Sequence, residues 1–135
     1  MNQKLNCILL IDDDEDANFF HSKIIKKSGC CEQLQIALDG AEGIEYLKSA
    51  LKDEQPAPDI IFLDINMPVM DGWSFLEEYE KLSDEQKARM VIVMLTTSLN
   101  PDDQDRADSN PYVTAFVNKY LNDEKLNRIM EDISQ

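Results

Sequence analysis

Asp59-Ile60-Ile61-Phe62-Leu63-Asp64-Ile65-Asn66-Met67-Pro68-Val69-Met70-Asp71-Gly72 is the stretch against which the rest of the chain is read. Ile60 to Leu63 are too few for a helix and rich in β-branched and aromatic types, which predicts a strand buried on both faces. That strand stops at a carboxylate, Asp64. Pro68 blocks a simple continuation as strand or helix, and Asp71-Gly72 is turn chemistry ahead of an amphipathic run that starts at Trp73. Asp64 is therefore expected at the carboxyl end of a central strand, facing a loop.

Three other stretches have the same form. Cys7 to Ile11 runs into Asp12-Asp13-Asp14, Val91 to Leu95 into Thr96-Thr97-Ser98, and Ala115 to Val117 into Asn118-Lys119. Gln33 to Leu38 alternates polar and apolar residues, the pattern of an edge or near-edge strand, and Asp39-Gly40 is its turn. Helical periodicity separates the strands. One helix, fronted by the acids Asp14, Glu15 and Asp16 and closed by Gly29, carries a stripe of Ala17, Phe20, Ile24 and Ile25. A second runs from Ala41 to about Lys52 on Ile44, Leu47 and Leu51; a third from about Gly72 to Leu82 on Phe75, Leu76, Tyr79 and Leu82. The last runs from about Asp123 to Ile133 on Leu126, Ile129, Met130 and Ile133. Ser83 to Lys87 reads as a short capped turn. Residues 100–110 hold Asp102, Asp103, Asp105 and Asp108 with Ala107 as the lone apolar residue between two prolines, so a helix there is expected to be short, mobile or both.

Five βα units with continuous apolar strands predict an α/β, doubly wound sandwich: a parallel sheet with helices on both faces. All carboxyl ends then share one edge, where Asp12, Asp13, Asp64, Thr96 and Lys119 converge, and in open sheets of this kind ligands bind at that edge.

A length of 135 residues predicts one domain, 1–135. A net charge of −14 repels phosphate backbones and acidic membranes, which argues against nucleic-acid or membrane partners. Cys7, Cys30 and Cys31 fit neither a disulfide framework nor zinc spacing and read as reduced thiols. The first apolar run is cut after five residues by three aspartates, unlike a signal peptide or a membrane span, and a cytoplasmic location is the expectation. Trp73, Met67 and Met70 read as local packing, and His21 as a surface residue.

From about Asn6 to Ile133 the chain resembles the receiver domain of two-component response regulators, the chemotaxis type. The resemblance is carried by Ile11-Asp12-Asp13, by Asp64-Ile65-Asn66-Met67-Pro68 with Asp71-Gly72, by Leu95-Thr96 and by Lys119. It implies a flavodoxin-like sheet of strand order 2-1-3-4-5 and a stand-alone phosphoacceptor. Asp13 and Asp64 then contact a divalent ion, Asp12 contacts it directly or through water, and the Asn66 backbone carbonyl completes the protein ligands. Oxygen-only ligands with no His or Cys in reach favour Mg²⁺, with Mn²⁺ possible, over zinc. The family's phosphoryl donor is a histidine kinase or a histidine phosphotransfer protein, and no separate substrate is turned over.

Asp64, alone at the end of the central strand, is the candidate nucleophile for an acyl phosphate. Lys119 and the Thr96 hydroxyl are the candidates for stabilising charge on the phosphoryl oxygens. Phe116 holds the family's switch position beside Thr96, although an aromatic in a strand is equally ordinary core. The downstream protein target is unspecified, and both a monomer and an activation-dependent dimer are compatible with the sequence. Two residues depart from the pattern. Tyr120 follows Lys119 where proline in a cis peptide is usual, and the cost of a non-proline cis bond predicts trans here. Thr97 stands where a small residue is common. Competing readings are a degenerate receiver that docks without phosphorylation, resting on Tyr120, and an aspartyl phosphatase, disfavoured because Asn66 stands where its general acid belongs.

Overall fold

The computed structural model describes residues 4–52, 57–84 and 91–133. In chain order the elements are β1 (Leu5–Ile11), α1 (Glu15–Ser28), β2 (Cys31–Ala37), α2 (Gly40–Lys52), β3 (Ile60–Leu63), α3 (Gly72–Glu80), β4 (Val91–Thr96), α4 (Pro101–Asp108), β5 (Val113–Asn118) and α5 (Asp123–Ile133). The strands form one parallel sheet in the order β2-β1-β3-β4-β5. Ile11 pairs with both Ala37 and Leu63, so β1, β2 and β3 end level; β4 and β5 run on to the Thr96–Asn118 pair. The polar residues after β1, β3 and β5 thereby meet at one edge.

Alternation along the strands divides the apolar residues between two cores. Leu9, Ile11, Ile61, Leu63, Ile92 and Met94 pack under α2, α3 and the single buried residue of α4, Ala107. Ile8, Leu10, Ile60, Phe62, Val93 and Leu95 pack under α1 and α5 with Leu126, Ile129 and Met130. β3 is buried along its whole length, as a central strand must be, whereas β5 at the sheet's rim is only half-buried. At the opposite edge, Asp59 clips β3 to β1: its Oδ2 accepts the amide hydrogens of Asn6 at 2.7 Å and Cys7 at 3.3 Å. Cys7, Cys30 and Cys31 are all unpaired. Among the described residues no helix is long and apolar enough to cross a membrane.

Local signals set the helix ends. The Asp14 side chain caps α1 by accepting from the amides of Asp16 and Ala17, and Gly29 closes it at φ 68°. Asp71 caps α3 through the Ser74 amide, and Asn100 caps α4 through Asp102 with Pro101 in the first turn. Residues 100–110 therefore do hold a helix, a short one, on cap chemistry and one buried alanine. Ile44 and Leu47 are buried as the periodicity predicts; the side chain of Leu51 lies outside the described residues, as does the turn expected after Asp84. α3 ends two residues earlier than expected, and β2 starts two earlier because its pairing with β1 begins at Leu5–Cys31.

Three expectations are overturned. Of the stripe expected on α1, Ala17 and Ile25 are buried and Ile24 packs against the core, but Phe20 is 44% exposed, and the buried face is completed by Asn18, His21 and Ser22 instead. His21 is not at the surface: only 1% exposed, it accepts the Leu121 amide hydrogen at Nε2, 3.2 Å away. Two of the inward polar residues have partners there, Asn18 Nδ2 on the Asp12 carbonyl and His21 Nε2 on the Leu121 amide, whereas the buried Ser22 hydroxyl has none among the described residues. The Lys119–Tyr120 peptide is cis, not trans. The intrinsic preference for trans considers the bond alone, whereas here the chain is held on both sides, by Lys119 N–H on the Thr96 carbonyl at 2.9 Å and by Leu121 N–H on His21.

Candidate functional site

β1 and β3 deliver their carboxylates to the shared edge side by side. Asp12 follows Ile11 and is 4% exposed, Asp64 follows Leu63 and is 8% exposed, and Asp13 lies at the surface beside them. One carboxylate oxygen from each of the three lies within 4.8 Å of the others. Backbone contacts aim the two buried groups. Asp12 Oδ1 accepts the Asp14 amide at 3.0 Å, and Asp64 Oδ1 accepts the Ile65 amide at 2.8 Å. Their Oδ2 atoms both turn to Lys119, whose Nζ stands 2.6 Å from Asp12 and 3.4 Å from Asp64.

The electrostatics follow from burial. Removal from water pushes the Asp64 carboxyl above the usual carboxylate range; the Lys119 ammonium pulls it back and the Asp12 charge pushes it further up. Burial alone lowers the Lys119 pKa, but the hydrogen bond to Asp12 and the charges of Asp64 and Asp12 outweigh it and hold the ammonium above its ordinary value. One ammonium thus faces two members of a cluster of three carboxylates that repel one another. An all-oxygen donor set of this size and charge fits a hard divalent cation, Mg²⁺ or Mn²⁺, and offers nothing to a soft one.

The other candidates lie around this centre. Thr96 ends β4 fully buried; its carbonyl takes the Lys119 amide and its hydroxyl oxygen accepts the Ser98 amide at 3.2 Å. Thr97 is exposed. Phe116 is half-buried in β5, opposite Met94, and packs on the α2–α3 core. Asn66 is exposed in the β3–α3 loop. Backbone bonds brace that loop: the Gly72 amide to the Ile65 carbonyl at 2.7 Å, and the Gly40 amide to the Met70 carbonyl at 2.9 Å. The Met70 amide also closes on the Pro68 carbonyl at 2.6 Å across Val69, which sits 87% exposed at φ 65°. A β-branched residue rarely adopts that φ, so the loop that follows the nucleophile candidate holds Val69 in a strained turn.

Sequence reasoning placed Asp12, Asp13, Asp64 and Lys119 together, and the structure brings them together. It missed two polar residues of α1. Asn18 Nδ2 donates to the Asp12 carbonyl at 2.8 Å, and His21 meets the chain two residues past Lys119. The signal available was faint: polar residues at helical spacing, interleaved with Ala17 and Ile25.

Residues 8–131 match the family described as the response regulator receiver domain. Among curated proteins, Response regulator Rcp1 of Synechocystis is 31% identical over 127 residues, 93% of this chain and 84% of that protein. A two-component response regulator from Cytophaga hutchinsonii superposes with a TM-score of 0.87 at 30% identity, over 97% of this chain and 98% of that one. The Mn²⁺-bound form of Rcp1 gives a TM-score of 0.73 at 29% identity, over 95% of this chain and 91% of that one. Site geometry, sheet order and these likenesses agree, and the chain belongs to the receiver domain family of two-component response regulators.

Proposed function

We propose that residues 1–135 act as one phosphoacceptor module, in which Asp64 takes a phosphoryl group from a phosphohistidine of a histidine kinase or histidine phosphotransfer protein. The observation that carries this reading is the buried Lys119 ammonium shared by Asp12 and Asp64 within the three-carboxylate cluster. An Asp64 carboxylate oxygen attacks phosphorus, the phosphorus–nitrogen bond breaks, and its electron pair leaves with the imidazole nitrogen, giving an aspartyl phosphate. Lys119, held between the two carboxylates, stabilises the negative charge spread over the phosphoryl oxygens, and so does the Thr96 hydroxyl. Asp12, Asp13, Asp64 and the Asn66 carbonyl are the groups that would hold Mg²⁺ or Mn²⁺, whose chemistry is to neutralise the same oxygens.

The Thr96 hydroxyl retains its own hydrogen to donate inward once a phosphoryl group is present, and Phe116 on the neighbouring strand responds, changing the surface offered to a downstream protein. With Tyr120 after it, the Lys119 ammonium still reaches Asp12 at 2.6 Å, which supports the phosphoacceptor reading over a docking-only role. Catalysis is limited to the module's own phosphorylation and dephosphorylation, in the cytoplasm. The test is incubation with Mg²⁺ and a small phosphoramidate, followed by intact mass: one hydroxylamine-labile phosphoryl adduct is expected on the native protein and none on Asp64→Asn. A folded protein that gains no adduct refutes the proposal in favour of docking. Continuous release of phosphate from many esters refutes it in favour of a phosphatase.

A further inference from the structure

One turn of α1 touches both loops that supply the Asp12–Lys119 ion pair. Asn18, 4% exposed, donates to the Asp12 carbonyl on the β1–α1 loop. Three residues on, His21 accepts the amide hydrogen of Leu121 on the β5–α5 loop. The separation of the two loops is therefore set by a rigid piece of helix.

The Lys119 end of this arrangement is held group by group. The Lys119 amide sits on the Thr96 carbonyl at 2.9 Å, and the Lys125 ammonium takes the carbonyls of Asn118 at 2.8 Å and Tyr120 at 3.2 Å. Leu121 is fully buried, so its amide needs an acceptor inside the protein, and His21 Nε2 is that acceptor. The imidazole also lies against the intervening Tyr120, with ring centroids 5.7 Å apart. An apolar side chain could fill the same volume without the cost of burying a polar ring; what it could not do is accept this hydrogen bond.

We propose that His21 is a positioning residue for phosphoryl transfer: by fixing Leu121 it keeps the Lys119 segment at the distance from β1 that lets one ammonium reach Asp12 and Asp64 together. The role rests on the phosphoacceptor reading of Asp64, and its test separates the two. Adduct formation with a small phosphoramidate at saturating Mg²⁺ is timed for the native protein, His21→Leu, His21→Gln, Lys119→Ala and the double variant His21→Leu/Lys119→Ala. Loss of the acceptor in His21→Leu is expected to slow transfer between about 10- and 100-fold, the scale of a small misplacement of a catalytic group. His21→Gln, whose amide oxygen reaches about where Nε2 lies, is expected to restore most of the rate. With Lys119 already removed, His21→Leu is expected to slow transfer no further, because groups that act as one unit are not additive. A purely structural role predicts the same loss in both backgrounds, and that result overturns the proposal. Independently of transfer, the Leu121 amide should exchange faster, and the Lys119 Nζ resonance move toward that of an exposed lysine, in His21→Leu but not in His21→Gln. If the native protein forms no adduct, the phosphoacceptor reading fails, and an unmoved Nζ resonance overturns the positioning role separately.

Discussion

Replacing His21 by glutamine should change how the fold responds to acid, by an amount the structure sets. Burial, and after it the charge of Lys119, lower the pKa of the His21 ring from 6.5 to about 4, against the opposing pull of Asp12 and Asp14. The folded protein therefore keeps the ring neutral, with Nε2 free to accept the Leu121 amide, through a range in which the unfolded chain takes up a proton. The unfolded state binds more protons between pH 6.5 and about 4, so stability is full above 6.5, falls as the pH drops through that window, and levels off below it. At 1.36 kcal/mol per pKa unit, the loss reaches roughly 2 kcal/mol near pH 5 and roughly 3 kcal/mol near pH 4.

Glutamine has no such window. Asp64 titrates in the opposite sense, since a raised carboxyl favours the folded state as the pH falls, but it is common to both proteins and cancels in the comparison. Urea unfolding is followed through Trp73, the single tryptophan, 9% exposed and covered by the Arg106 guanidinium at 4.5 Å. With an m-value of about 2 kcal/mol/M, the native midpoint should fall relative to His21→Gln by about 1 M urea between about pH 7.5 and about pH 5. Parallel midpoints over that interval, or imidazole resonances of the folded protein that titrate near the ordinary 6.5, would refute the reasoning.

Asp64→Asn should raise stability at neutral pH by on the order of 1 kcal/mol, because a buried charge beside Asp12 is removed while Lys119 keeps Asp12 and the Ile65 amide keeps an acceptor. A lowered urea midpoint would contradict this. Asp59→Ala strands two amide donors and should cost about 2–4 kcal/mol in urea unfolding, while the rate of adduct formation by the folded fraction stays unchanged, since the clip lies at the far edge of the sheet. Gly72→Ala places a Cβ on the Asp64 carbonyl oxygen, a backbone atom that cannot swing aside, so a cost of about 1–3 kcal/mol and a slower adduct-forming rate are expected together. Unchanged stability would show that the β3–α3 loop yields more readily than its hydrogen bonds imply.

The strands were legible because what defines them is local. Ile60 to Leu63 are apolar without interruption, and only a strand covered on both faces asks for that, so β3, its neighbours and the edge where their carboxylates meet followed from runs of a few residues. The order of the strands came from resemblance. α4 was half-legible: Ala107 as its lone apolar residue predicts a short helix at most, but the attachment through Arg106 on Trp73 joins residues more than thirty positions apart. The burial of His21 was out of reach for the same reason in a stronger form, because its partner Leu121 is 100 residues away. Periodicity ranks positions by apolarity and assigns His21 outward; only the assembled sheet brings an unpaired, fully buried amide against α1 and reverses that assignment. The acids and the lysine can thus be named from short motifs, but the spacing between them depends on polar contacts that link the two ends of the chain, and a substitution on α1 can alter chemistry at Asp64 without touching it.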